Sequence, residues 1–318
     1  VNNLSNIPYL KKAGQATFND RHVKKFGELI HDWCCQKEKG FVIIGAPLSK
    51  SSISHSGATF APGVIRQQLQ AYSTYAIEEE RDVDAYIYDA GDIEMHVTNI
   101  LESQTRIANV LEEVTKKHPN CIPIVLGGDH SISYPSITGF AKTKKTVGAI
   151  QFDAHHDLRN LEDGGPSNGT PFRSLLESGV IKGEHLVQIG LRNFSNSKAY
   201  HDYAKEHGVT VYTMKDVRER KIDNIIEESI AYLKEKVDTV YISVDMDVLD
   251  QAFAPGCPAI GPGGMTSDDL LQAIRLLASE QMVGGMDIVE IDPTLDFRNM
   301  TSRLAAHIIM EFVLHKKG

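Results

Sequence analysis

The sequence has no apolar run approaching the ~18 residues of a membrane-spanning helix, and its N-terminus lacks a signal-peptide pattern. A membrane partner is therefore not expected, and a mean hydropathy of -0.23 fits a soluble chain. It also lacks a basic stripe. The formal net charge is -9 and the pI about 5.8, whereas a phosphate-tracking surface concentrates Lys and Arg. Nucleic acid is thus not an expected partner. Cysteine is scarce: Cys34, Cys35, Cys121 and Cys257, two of them adjacent, with no CxxC pair. That usage argues against a disulfide framework or a cysteine-based zinc site and fits reduced thiols in the cytoplasm. Internal repeats, low-complexity tracts and linkers are missing too, so residues 1–318 are expected to form a single domain.

What is present is a recurring pattern: apolar strands that end in acids and histidines. Thr146 to Phe152 is β-prone and runs into Asp153, His155 and Asp157. On an extended backbone with a side-chain period of two, these three share one face, and His156 points to the other. Tyr241 to Val244 runs into Asp245 and Asp247, and Ile122 to Leu126 into Gly127-Gly128-Asp129-His130. Carboxylate and imidazole together suit a divalent first-row metal.

Strand-like and helix-like segments alternate along the chain. Strands are expected at Phe41–Ile44, Ala85–Tyr88, Cys121–Leu126, Thr146–Phe152, His185–Gly190, Val209–Thr213, Thr239–Val244 and Gly284–Val289. Helices are expected at Val23–Cys35, after Pro62, at Asn99–Lys117, Ser136–Lys142, Phe172–Glu177, Ser197–His207, Ile222–Lys236, Ser267–Glu280 and Thr301–His315. This alternation predicts an α/β fold, three-layer α/β/α, with a mainly parallel sheet of about eight strands. In such sheets the ligand lies beyond the carboxyl ends of the strands. His130, Asp153, His155, Asp157, Asp245, Asp247 and Glu290 all fall there. Asp89 and Asp92 also end a strand and are expected to cap the segment that follows.

Four carboxylates gathered at one edge repel one another unless cations neutralise them. Six ligands, His130, Asp153, His155, Asp157, Asp245 and Asp247, exceed the needs of one catalytic ion and fit two ions that share carboxylates. Such a pair can hold a bridging water and bring its pKa near neutrality. The oxygen-rich set, with only two imidazoles, favours Mn²⁺ over zinc.

Four motifs carry a resemblance to the ureohydrolase (arginase/agmatinase) family. They are Leu126-Gly127-Gly128-Asp129-His130-Ser131, Phe152-Asp153-Ala154-His155-His156-Asp157, Ser243-Val244-Asp245-Met246-Asp247 with Pro255-Gly256 beyond it, and Asp287-Ile288-Val289-Glu290-Ile291-Asp292-Pro293. Gly57, Pro62 and Arg66 echo a further family pattern. The resemblance implies an arginase-like fold, two Mn²⁺ per subunit and a homo-oligomer, trimer or hexamer. It implies that His130, Asp153, Asp157 and Asp245 hold one ion, and that His155, Asp153, Asp245 and Asp247 hold the other. It implies hydroxide attack on the carbon of a guanidinium or amidinium. Asp157 would handle the proton, and Glu290 would accept from the cationic N–H groups.

Within that family the sequence resembles the formimidoylglutamase branch. Arginases and agmatinases carry a histidine before the glycine of the loop after the second motif; here Asn168 precedes Gly169. The branch lacks that histidine, uses a similar Gly-Thr-Pro-Phe loop, and often continues its second motif as Asp-Leu-Arg, as Asp157-Leu158-Arg159 does. The implied reaction is hydrolysis of N-formimidoyl-L-glutamate to L-glutamate and formamide in histidine breakdown. The alternative is an agmatinase or guanidino-acid amidinohydrolase that releases urea. A substrate with two carboxylates calls for arginine clamps: Arg192 first, then Arg159 and Arg173, with Asn168 also lining the substrate site.

Overall fold

The computed structural model describes residues 20–33, 39–55 and 57–317. Cys34, Cys35 and most of the N-terminal arm lie outside them. Among the described residues, eleven strands run in chain order: β1 (Ile30–Asp32), β2 (Gly40–Ala46), β3 (Tyr75–Ala76), β4 (Arg81–Asp82), β5 (Ile87–Asp92), β6 (Cys121–Gly127), β7 (Val147–Phe152), β8 (Leu186–Leu191), β9 (Thr210–Thr213), β10 (Thr239–Asp245) and β11 (Val283–Val289). Nine of them form one sheet in the order β1-β5-β2-β6-β11-β10-β7-β8-β9. Every pairing in that sheet is parallel. β3 and β4 make a separate antiparallel pair.

Alternate residues of the strands pack on opposite faces, which divides the core in two. Ile43, Leu126, Phe152, Ile242 and Val244 face one cluster. Helices α1 (Ala61–Leu69), α6 (Met214–Arg220), α7 (Ile222–Lys234), α8 (Ser267–Ala278) and α9 (Met300–His315) cover it. Val42, Ile44 and Val125, with Ala149 and Tyr241, face the other side. There α2 (Ile100–Lys117), α3 (Ser133–Ala141), α4 (Pro171–Glu177) and α5 (Lys198–Glu206) lie. Helices on both faces explain why the inner strands read as apolar throughout. Among the described residues, no helix is long and apolar enough to cross a membrane.

Two local expectations fail. The apolar spacing from Val23 suggests one helix to Cys35. Instead a 3₁₀ turn (Phe26–Leu29) leads into β1, which pairs with β5 at the sheet's edge. A spacing of three serves either turn type. The open edge of β5 then takes up the backbone from Ile30 onward, and Trp33 N donates to Asp89 O. Helix α6 was not expected. Its signal is the Thr213–Asp216 capping box, in which each side chain accepts from the other residue's backbone N–H.

Candidate metal centre

The four central strands, β6-β11-β10-β7, deliver the predicted ligands to one spot. Their exits are shaped by close backbone contact. A Cβ on Gly128 would lie 1.8 Å from the Leu48 carbonyl oxygen, so only glycine passes there. Gly128 O in turn accepts from Glu290 N, 3.0 Å away, and locks β6 to the end of β11. The next turn carries His130 into the centre.

The second motif reaches its geometry by a different route from strand alternation. Strand β7 ends at Phe152, and Asp153 to Asp157 form a bent loop in which Asp157 adopts φ 51°. Asp245 and Asp247 are likewise joined by a turn, not by strand: a 3₁₀ segment begins at Met246, and Asp247 N donates to Asp245 Oδ1. The ligands converge because turns fold back over the strand ends. Glu290, at φ 60°, likewise lies in the left-handed region. Such backbone strain is concentrated at functional sites.

His130, Asp153, Asp157 and Asp245 form one group of possible ligands, and Asp153, His155 and Asp247 another. Asp153 belongs to both. His130 Nδ1 stands 3.1 Å from Asp153 Oδ2, 2.8 Å from Asp157 Oδ2 and 3.1 Å from Asp245 Oδ2. His155 Nδ1 is 3.0 Å from Asp247 Oδ2 and 3.4 Å from Asp153 Oδ1. The other nitrogen of His130, Nε2, is taken by Ser243 Oγ at 3.0 Å, and that hydroxyl donates to Asp287. Nδ1, by contrast, is buried without a hydrogen bond of proper geometry. One unsatisfied nitrogen thus converges with three carboxylate oxygens, and this oxygen-rich donor set fits a divalent first-row cation.

The electrostatics agree. Burial pushes Asp157 up to about 6, with Asp153 adding to the rise. Burial also raises Asp245 well above the carboxylate range, helped by Asp247 and Asp153. Burial acts the same way on Asp153, but His130 and His155 overcome it and hold its carboxyl below the usual range. Asp247 drives the His155 imidazole up to about 12. Among the described residues, none of the four acids pairs with a lysine or arginine; their partners are the two imidazoles.

A cavity of about 300 Å³ opens above the acids, lined by Arg159, Asn168, Asn196, Tyr200 and Glu290 among others. Burial and Asp129 push Glu290 up to about 8. Its Oε1 accepts from His130 N at 2.7 Å and from Asn168 Nδ2 at 3.0 Å. Asn168 Oδ1 accepts from Ile53 N, which ties two loops together across the cavity wall.

The three arginines part company. Arg159 lies at the cavity and is exposed. Arg173 stacks its guanidinium 3.7 Å above the Tyr203 ring and pairs with Glu177. Arg192, first choice from the sequence, does not line this cavity. It donates through Nη1 to Gly261 O and Leu249 O and through Nη2 to Asp247 O, and so pins the loop after β10. Sequence spacing carries no information about which carbonyls a long side chain will reach.

Sequence reasoning missed Gln151, Gln188, Ser243 and Asp287, the polar residues behind the ligands. Ser243 and Asp287 stand within the motifs without a role read for them, and the signal of Gln151 and Gln188 is a polar side chain inside an otherwise apolar strand.

A parallel α/β/α sheet with two joined acid–imidazole groups beyond its carboxyl edge defines a metal-site hydrolase of the arginase type. The Arginase family model matches residues 39–315, and the chain belongs to that family. It is 61% identical over 314 residues to the formimidoylglutamase of Halalkalibacterium halodurans, spanning 98% of each chain. The crystal structure of formimidoylglutamase from Bacillus subtilis superposes with a TM-score of 0.93 at 53% identity, covering 96% of this chain and 95% of that one. Trypanosoma cruzi formiminoglutamase, solved with Mn²⁺, matches with a TM-score of 0.80 at 25% identity over 87% of this chain and 93% of that one.

Proposed function

We propose that this chain hydrolyses N-formimidoyl-L-glutamate to L-glutamate and formamide, using two divalent ions for which Mn²⁺ is the best match. The observation that carries the reading is a buried acid cluster with no lysine or arginine partner among the described residues, in a chain that is near full-length kin to formimidoylglutamases. His130, Asp153, Asp157 and Asp245 would hold one ion. Asp153, His155 and Asp247 would hold the other, with Asp245 as a second shared ligand. When bound, such ions supply a water acidified toward neutrality.

The protein's own groups account for the rest. Glu290 is a buried carboxylate with no lysine or arginine partner among the described residues, so an amidinium is a suitable counter-charge. Asn168 holds that carboxylate in place by donating to Oε1. Water adds to the amidine carbon, the bond to the glutamate α-nitrogen breaks, and that nitrogen leaves as the amine after receiving a proton. Asp157, beside His130, carries that proton. The leaving group is an α-amine, whose ordinary pKa is roughly 8. It therefore departs with less assistance than the strongly basic amine released from arginine, which suits Asn168 in place of a histidine. Arg159, at the cavity with no ion pair among the described residues, is the clamp for a substrate carboxylate.

Rates on formimidoylglutamate, agmatine, arginine and guanidinobutyrate, measured side by side with Mn²⁺, test the reading. Faster turnover of agmatine, which has no carboxylate, would sink it. Arg159→Ala is expected to raise KM for formimidoylglutamate roughly ten- to a hundredfold, the loss of a charge-assisted hydrogen bond. A trimer or hexamer is the expected assembly, and a monomer in sedimentation at micromolar concentration would count against it.

A further inference from the structure

We infer that Gln151 and Gln188 are positioning residues, which set the carboxylate of Asp153 through a buried hydrogen-bond chain of a single polarity. This rests on the reading of Asp153 as a ligand shared by both ions. The chain begins at the metal centre. Gln151 Nε2 donates to Asp153 Oδ2 at 2.6 Å and faces His155 O at 3.4 Å. Both neighbours only accept, so the amide has one permitted orientation. Its Oε1 must then face Gln188, whose Nε2 donates to it at 2.6 Å and to His156 O at 2.8 Å. Again both are acceptors, and the second amide is oriented too. Gln188 Oε1 is left to accept from His156 Nδ1 at 2.7 Å, which places that ring's hydrogen on Nδ1. Nε2 of His156 then accepts from His201 Nδ1, 3.1 Å away at the margin of the surface.

Every donor in this chain points toward Asp153. The two glutamines occupy facing register positions on β7 and β8, and both are fully buried in strands whose other inward residues are apolar. Burying two amides there is costly unless each bond is made. At its inner end the chain does one specific thing. The Asp153 carboxylate takes Gln151 on Oδ2 and His155 N on Oδ1, the latter at 2.6 Å. Its plane is held from both sides while each oxygen also faces one ligand group. Were Gln151 reversed, its carbonyl oxygen would oppose Oδ2 and turn the carboxylate away. Gln188, which makes no hydrogen bond to Asp153 itself, reinforces the observed orientation by donating to the Gln151 carbonyl oxygen.

The test is calorimetric titration of the chelated full chain with Mn²⁺, alongside its thermal midpoint. Gln188→Met removes the donors that orient Gln151. It is expected to weaken Mn²⁺ binding roughly 10- to 100-fold, the usual effect of losing a partner behind a ligand, while the apo-protein still unfolds cooperatively. Gln151→Met is expected to lose as much, and the double variant no more than Gln151→Met alone, since both changes act through the same bond. Should Gln188→Met fail to fold, Gln188→Glu replaces it; that side chain keeps the acceptor for His156 and loses the paired donors. Wild-type Mn²⁺ affinity in a folded Gln188 variant would overturn the inference while leaving the metal reading intact. So would a full additional loss in the double variant. Absence of Mn²⁺ binding by the wild-type chain would instead overturn the metal reading, and the inference with it.

Discussion

Two acid clusters sit on the sheet of this molecule, and they differ in one respect. In β5, which runs on past the expected end at Tyr88, Asp89 within the strand and Asp92 at its end meet Arg66. Its Nε and Nη2 reach the two oxygens of Asp89 at 2.7 and 2.8 Å, and Nη1 reaches Asp92 at 2.6 Å. The expectation that these acids cap the next segment covers only one of their bonds, from Gly91 N to Asp89; the main role is the ion pair. At the ends of β7 and β10, four acids are more deeply buried, and among the described residues their only ion-pair partners are imidazoles. An acid cluster that carries its own arginine is finished as architecture. One that buries its charge without an arginine or lysine is incomplete until a cation arrives.

The contrast is sharpest under Asp245→Asn. Losing a ligand assigned to both ions should reduce Mn²⁺ affinity more than a hundredfold and abolish turnover, read by metal analysis and a formamide assay. Asp247→Asn should deplete mainly one ion. Full activity in an Asp245→Asn protein without metal would erase the distinction between the clusters. Next in size is metal removal. A ligand at 100 times its dissociation constant adds about 2.7 kcal/mol to stability. Chelation should therefore lower the melting temperature by roughly 5 °C for a chain of this size, and an unmoved midpoint would show that the central acids need no cation. Arg66→Ala applies the same logic to the other cluster. With its partners half exposed, the loss should be only about 1 kcal/mol, and Mn²⁺ stoichiometry should not change. A drop in bound metal there would mean that the two clusters are coupled. Smallest is Asp92→Asn, within about 0.5 kcal/mol in denaturant unfolding, because Arg66 keeps its paired bonds to Asp89.

Much of the centre could be read without coordinates. His130, Asp153, His155, Asp157, Asp245 and Asp247 stand out because acids and histidines seldom follow apolar strands in three places by accident, and parallel sheets collect strand ends at one edge. The alternation of segments likewise predicts the layered fold, since a strand apolar on both faces needs helices on both sides. Strand β1 was hidden, because a short edge strand is stabilised by its neighbour's backbone and leaves little pattern of its own.

The linear order of residues determined which chemistry the strand ends could hold: local periodicity and side-chain type are properties of the chain itself. Only the tertiary structure decided how those groups meet. It bent the loop at Asp157 to turn its carboxylate onto His130, and it spent Arg192 on three carbonyls while leaving Arg159 at the cavity. It also set Gln151 beside Gln188 across two strands. Each outcome depends on contacts between residues far apart in sequence, where distance and hydrogen-bond direction, absent from any spacing rule, determine the energy.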